Sequence, residues 1–118
     1  MKRSNTIFLD IDGTLLKHTG GTLVDILLSK AEIIFGVLEK LREWDLKGYN
    51  IILTTGRTES MRDFTIKQLE KLGIPFDQLV MGLGGGKRFL INDEKPDGTI
   101  TAVAFSIKRN EGIKNIKI

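Results

Sequence analysis

Asp10 and Asp12 stand one residue apart at the end of an apolar run, Ile7-Phe8-Leu9, with Gly13 and Thr14 directly behind them. Two carboxylates so spaced reach one site if the backbone turns there, and Gly13 gives it that freedom. With a third carboxylate from elsewhere they would form an all-oxygen, net negative cluster. Such a cluster suits Mg²⁺, a hard cation that keeps several waters and binds through one or two carboxylates plus substrate phosphate. The metal would let an anionic carboxylate approach an anionic ester, so the pair could divide the work of phosphate-ester hydrolysis. Asp10 would attack phosphorus, while Asp12 would protonate the leaving oxygen and later deprotonate the hydrolytic water.

Other candidates follow apolar runs too. Thr54, Thr55, Gly56 and Arg57 come after Ile51-Ile52-Leu53, and Asn92 and Asp93 come after Phe89-Leu90-Ile91. The hydroxyl of Thr55, or of Thr54, could bond a phosphate oxygen together with free N–H groups at the start of a following helix. Charge balance calls for a cation, for which Lys87 is the candidate and Arg57 the alternative. Asn92 and Asp93 would join Asp10 and Asp12 around the metal. Asn92 offers a carbonyl oxygen but no charge, which weakens metal affinity unless Asp93 or Glu94 compensates.

The elements that must position these residues alternate. The pattern predicts strands over Thr6–Leu9, Tyr49–Leu53, Gln78–Met81, Arg88–Ile91 and Thr101–Phe105. It predicts helices over about Ser29–Lys47, closed by Gly48, and over Ser60–Leu72, closed by Gly73. Gly13–Thr22 reads as an exposed flap and Gly82–Gly86 as a flexible loop with no helix after it, which excludes a P-loop. Strands alternating with helices argue for an α/β fold with a mostly parallel sheet, in which ligands bind outside the carboxyl ends of the strands. That rule brings the separated motifs to one edge. Trp44 falls on the apolar face of its helix and reads as core. His18, in the flap, reads as solvent-exposed, and the charged last ten residues as a loose tail.

These residues resemble the haloacid dehalogenase (HAD) superfamily of phosphohydrolases. Its first motif, hydrophobic residues followed by D-x-D-G-T, matches Ile7 to Thr14 without departure. Its second matches Ile51 to Arg57, its third Lys87, and its fourth Phe89 to Glu94, with Asn92 where the family usually has Asp. The resemblance covers roughly residues 6–106. It implies a three-layer Rossmann-like sheet and an aspartyl-phosphate intermediate. The interval between Asp12 and Thr54 is short and largely helical, which implies a capless member with an open site, covered by a large substrate or by a neighbouring subunit of a homo-oligomer. The Thr-Gly-Arg turn followed by Gly-Ile-Pro-Phe-Asp looks most like the small capsular-polysaccharide-associated members.

The chain as a whole agrees with one domain over residues 1–118. At this length a single core burying somewhat under about 68% of the unfolded surface is feasible. Hydrophobic residues make up 41% and charged residues 28%, so the composition is that of a folded chain, and no cysteine is present for a disulfide or thiolate metal site. The start Met-Lys-Arg-Ser-Asn does not read as a signal region, and the longest apolar run is far below the ~20 residues of a bilayer span, so the expectation is cytoplasmic with no membrane segment. The net charge of +3 admits nucleic acid as a partner without favouring it over a small phosphorylated substrate. The function expected is thus Mg²⁺-dependent hydrolysis of a phosphomonoester such as a sugar phosphate. The alternatives are a HAD-like domain that has lost turnover and serves binding or regulation, and a nucleic-acid end phosphatase.

Overall fold

The computed structural model describes residues 4–118; Met1, Lys2 and Arg3, which open the stretch read as lacking a signal region, lie outside the described residues. Three strands, β1 (Thr6–Asp10), β2 (Asn50–Thr54) and β3 (Gln78–Val80), form a parallel sheet in the order β1-β2-β3. The register sets Thr6 beside Asn50 and Asp10 beside Thr54, then Thr54 beside Val80. All three strands therefore end at one edge, with Asp10 closing β1 and Thr54 closing β2.

Parallel neighbours need crossover connections, and helices supply them. Between β1 and β2 lie α1 (Leu23–Leu28) and α2 (Val37–Leu46); between β2 and β3 lie a short 3₁₀ turn (Glu59–Met61) and α3 (Arg62–Lys71). The helix expected over Ser29–Lys47 is shorter and starts later. Gly36 precedes it in the left-handed region at φ +84°, and Leu16 bridges to Ile33 upstream, so the chain before Gly36 is committed to extended structure. The six residues of α1 lie where a flap was expected. A capping box starts them: Thr22 Oγ1 accepts from the Asp25 N–H, and the Asp25 carboxylate accepts from the Thr22 N–H. The flap expectation also misplaces Leu15 and Leu16, both fully buried.

Ile7 and Leu9 of β1 meet Ile51 and Leu53 of β2 on one face, with Val37, Leu41 and Trp44 of α2, Leu69 of α3 and Leu79 of β3 in the same core. Each fully buried aliphatic side chain contributes about 1.5–3 kcal/mol. Phe8 points the other way and is 55% exposed. Burial alternates along β1, so only its Ile7 and Leu9 face packs into the core.

The strands expected over Arg88–Ile91 and Thr101–Phe105 do not form. Residues 87–106 run as an exposed arm with no regular secondary structure. A strand requires a neighbouring edge to bond to, and among the described residues this segment pairs with none. The C-terminal stretch, expected to be loose, is anchored. Ile113 is 1% exposed in the core, and the Asn110 N–H donates to the Gly13 carbonyl at 2.8 Å.

Candidate active site

Asp10 closes β1, and the chain turns immediately. The N–H groups of Thr14, Leu15 and Leu16 all donate to the Ile11 carbonyl, and Gly13 sits at φ +90°, a left-handed position that glycine occupies without strain. The turn leaves the carboxylates of Asp10 and Asp12 on the wall of one open pocket of about 390 Å³. The Thr14 hydroxyl donates to Asp10 Oδ2 at 3.4 Å. The Asp10 carboxyl pKa is raised from its ordinary aspartate value. Loss of water to surrounding protein is the main cause, the Asp12 charge adds to it, and the Ile11 N–H, the Arg88 charge and Thr14 oppose it.

Arg57 was expected to bind phosphate. It is instead buried, 6% exposed, and spends its guanidinium on the protein. Nε donates to Asp12 Oδ2 at 2.9 Å, Nη2 to Asp12 Oδ1 at 2.8 Å, and Nη1 to Thr65 Oγ1 at 3.1 Å and Gln68 Oε1 at 2.8 Å. The bidentate fork fixes the plane of the Asp12 carboxylate.

Thr54 and Thr55 part company at the end of β2. The Thr54 hydroxyl donates to the Leu9 carbonyl at 3.3 Å and is tied to the sheet. Thr55 is 1% exposed and lines the pocket; its N–H donates to the Val80 carbonyl, its carbonyl accepts from the Leu83 N–H, and its Oγ1 accepts from the Arg57 N–H at 3.0 Å. Gly56 is crowded for a different reason from Gly13: a Cβ there would stand 3.0 Å from the Gly84 carbonyl oxygen.

The remaining expected residues are not gathered here. Lys87 is exposed and does not line the pocket. Its neighbour Arg88 does, with Nη1 donating to the carbonyls of Gly84 and Gly86 at 3.1 and 2.8 Å. Asn92 and Asp93 lie out on the arm, where Asn92 Nδ2 donates to Thr101 Oγ1 at 2.9 Å and the Thr101 hydroxyl donates to the Asp93 carbonyl. Arg109 and His18 also line the pocket and were not among the expected site residues. His18 is held by its N–H donating to Asn110 Oδ1 at 2.8 Å. Sequence adjacency hinted at Arg88; nothing local signals Arg109, which arrives through the fold.

As a metal site the single chain is incomplete. Both Asp12 oxygens accept from Arg57, Asp10 is the remaining pocket carboxylate, and no described group of three His, Cys, Asp or Glu side chains is arranged to hold an ion. The donor set does not fit Mg²⁺ without Asp93. What the pocket does offer is the Asp10 carboxylate with Thr55, Arg88 and Arg109 on the same lining, a set suited to a phosphate group.

No family model and no curated protein matches the chain. Solved structures do. One chain of the Pnkp1/Rnl/Hen1 RNA repair complex is 28% identical, with a TM-score of 0.56, over 66% of this chain and 25% of that one. A chain from a second structure of the Pnkp1/Rnl/Hen1 complex is 26% identical, with a TM-score of 0.58, over 73% of this chain and 30% of that one. The crystal structure of a target protein from Vibrio cholerae matches at 22% identity and a TM-score of 0.52, over 75% of this chain and 79% of that one, and speaks to fold alone. This chain thus spans a quarter to a third of the repair-complex chains it matches. The small α/β architecture, with its parallel sheet, is Rossmann-like, and its structural neighbours are HAD-like.

Proposed function

We propose that the chain hydrolyses a phosphomonoester, with Asp10 as the nucleophile. The observation that carries the reading is Asp10 at the carboxyl end of β1, opening on a pocket with the Arg88 and Arg109 guanidinium groups and the Thr55 hydroxyl. The arginines offset the charge of the phosphate as the Asp10 carboxylate approaches, which in water would be repelled. An Asp10 oxygen forms a bond to phosphorus, the bond to the ester oxygen breaks, and that oxygen takes a proton. Water then attacks the aspartyl phosphate and releases inorganic phosphate. Asp12 is the proton carrier in this scheme. Because both its oxygens accept from Arg57, one of those bonds opens each time a proton is carried. The Mg²⁺ expected from the sequence belongs to this proposal only where Asp93 joins Asp10.

The substrate class favoured by the small open pocket is a phosphorylated metabolite, such as the sugar phosphate implied by the likeness to capsular-polysaccharide-associated members. A second reading, a terminal phosphate on nucleic acid, is supported by the two neighbours from an RNA repair complex and by the net charge of +3. Phosphate release from an aryl phosphate, lost in Asp10→Asn, tests the first reading. Survival of activity in that variant overturns the mechanism. Steeply salt-dependent oligonucleotide binding marks the second. Phosphate binding without turnover would leave a binding or regulatory domain.

A further inference from the structure

The sheet stops at β1. The described residues supply no strand beyond it, although β1 carries the proposed nucleophile and leaves Phe8 55% exposed on its open face. A bare strand edge invites another strand.

The arm has the opposite deficit. Over 87–106 it presents Phe89, Leu90, Ile91, Ile100, Val103 and Phe105 at between 55 and 93% exposure. Its tip is closed by the Lys95 N–H donating to the Thr99 carbonyl at 2.9 Å and the Gly98 N–H to the Lys95 carbonyl at 2.8 Å. Its ends leave the body from Leu83, whose N–H donates to the Thr55 carbonyl at 3.1 Å, and from Asn110, whose N–H donates to the Gly13 carbonyl at 2.8 Å. The radius of gyration is 14.9 Å, where a compact chain of this length has about 13.5 Å, and the long axis is 50 Å against 29 and 26 Å. Six large apolar side chains on one protruding segment exceed what monomers ordinarily leave in water.

We propose that two copies of this chain exchange arms, the 88–91 leg of each pairing with the free edge of β1 in the other and carrying Asp93 to that copy's Asp10. Edge and arm are both present on every copy, so a two-fold pairing satisfies both at once and closes, as reciprocal exchange requires. Run parallel to β1 with Ile91 level with Leu9, the leg sets Leu90 beside Phe8 and brings Asn92 and Asp93 to the height of Asp10. The acidic stretch Asp93-Glu94 then meets a pocket lined by Arg88 and Arg109, a match of opposite charge. Each site is built from two chains, and the acidic donor set that one chain lacks is completed across the interface.

The exchange stands independently of the phosphatase reading; only its activity readout rests on that reading. The chain has no cysteine, so single cysteines report contacts cleanly. Phe8→Cys and Leu90→Cys proteins, co-refolded and treated with a short bismaleimide, should give a covalent dimer that neither gives alone, and light scattering of wild type should give twice the chain mass. A monomeric wild type, or a double-cysteine chain that links within itself, overturns the proposal. Co-refolding Asp10→Asn with Asp93→Ala should restore about a quarter of wild-type activity, because random pairing makes half the dimers mixed and each mixed dimer has one intact site. A cross-linked dimer with no hydrolysis by wild type supports the exchange and removes the phosphatase reading. Hydrolysis by a monomer does the reverse.

Discussion

Arg57 and Asp12 are joined by two parallel hydrogen bonds, Nε to Oδ2 at 2.9 Å and Nη2 to Oδ1 at 2.8 Å, with the arginine side chain 2% exposed and the aspartate 21%. The pair couples the turn after β1 to α3, since Nη1 also reaches Thr65 and Gln68. Removing one partner of a buried pair leaves the other charged and unpaired, so Arg57→Met should destabilise the fold by about 3–5 kcal/mol. Arg57→Lys should recover little of this, because an ammonium cannot reproduce the fork. Urea denaturation of the three proteins checks both.

The raised Asp10 carboxyl has a consequence for stability whose sign follows from linkage. A group whose folded value lies above its unfolded one contributes most below the unfolded value and loses that contribution as pH rises through the folded one. At neutral pH the charged Asp10 therefore opposes folding. Asp10→Asn should be more stable than wild type at pH 7, and the advantage should vanish near pH 3. Denaturation midpoints at the two pH values decide it.

The same shift bears on turnover. Attack requires the ionised carboxylate, so the acidic limb of the pH profile for aryl phosphate hydrolysis should fall at higher pH than an ordinary aspartate gives. Arg88→Ala, which removes a charge that lowers this value, should move the limb further toward neutrality. Profiles of the two proteins measure it.

Arg88 and Lys87 are neighbours with different positions. Arg88→Ala should weaken inorganic phosphate binding by about tenfold or more, the worth of one charge-assisted hydrogen bond, while Lys87→Ala should leave it nearly unchanged. Calorimetry at low salt separates them.

Gly56→Ala would press a methyl group against the Gly84 carbonyl at 3.0 Å. The expected stability cost is about 1–3 kcal/mol, as for other overpacked sites. Because Gly84 also accepts from Arg88, phosphate affinity should drop along with stability, in contrast to Gly85→Ala, where a Cβ meets nothing. Paired binding and denaturation measurements on the two alanines would reveal that difference.

The sequence was most legible where structure is local. The turn at Asp10–Thr14, the strand before Thr54 and the periodic stretch of α3 all follow from neighbouring residues, and their bounds moved by only a residue or two. α1 went unseen because six residues are too few to show a period, although Thr22 and Asp25 spell its cap. Arg88–Ile91 and Thr101–Phe105 have strand composition but no strand, because pairing depends on an edge that sequence does not display. Arg109 was hidden for a related reason. It reaches the pocket because the last segment is anchored by Ile113 in the core and by Asn110 on Gly13 and His18, contacts remote along the chain.

Asn110 stands at φ +67°, a backbone setting that asparagine tolerates better than most residues. Its amide N–H fastens the Gly13 carbonyl and its side-chain oxygen fastens the His18 N–H, both at 2.8 Å. One residue near the end of the chain therefore ties the two ends of the 13–18 segment together, and with them the turn after Asp10 and the pocket residue His18. Losing Asn110 would loosen the turn after Asp10 and the His18 side of the pocket together, although Asn110 does not itself line the pocket.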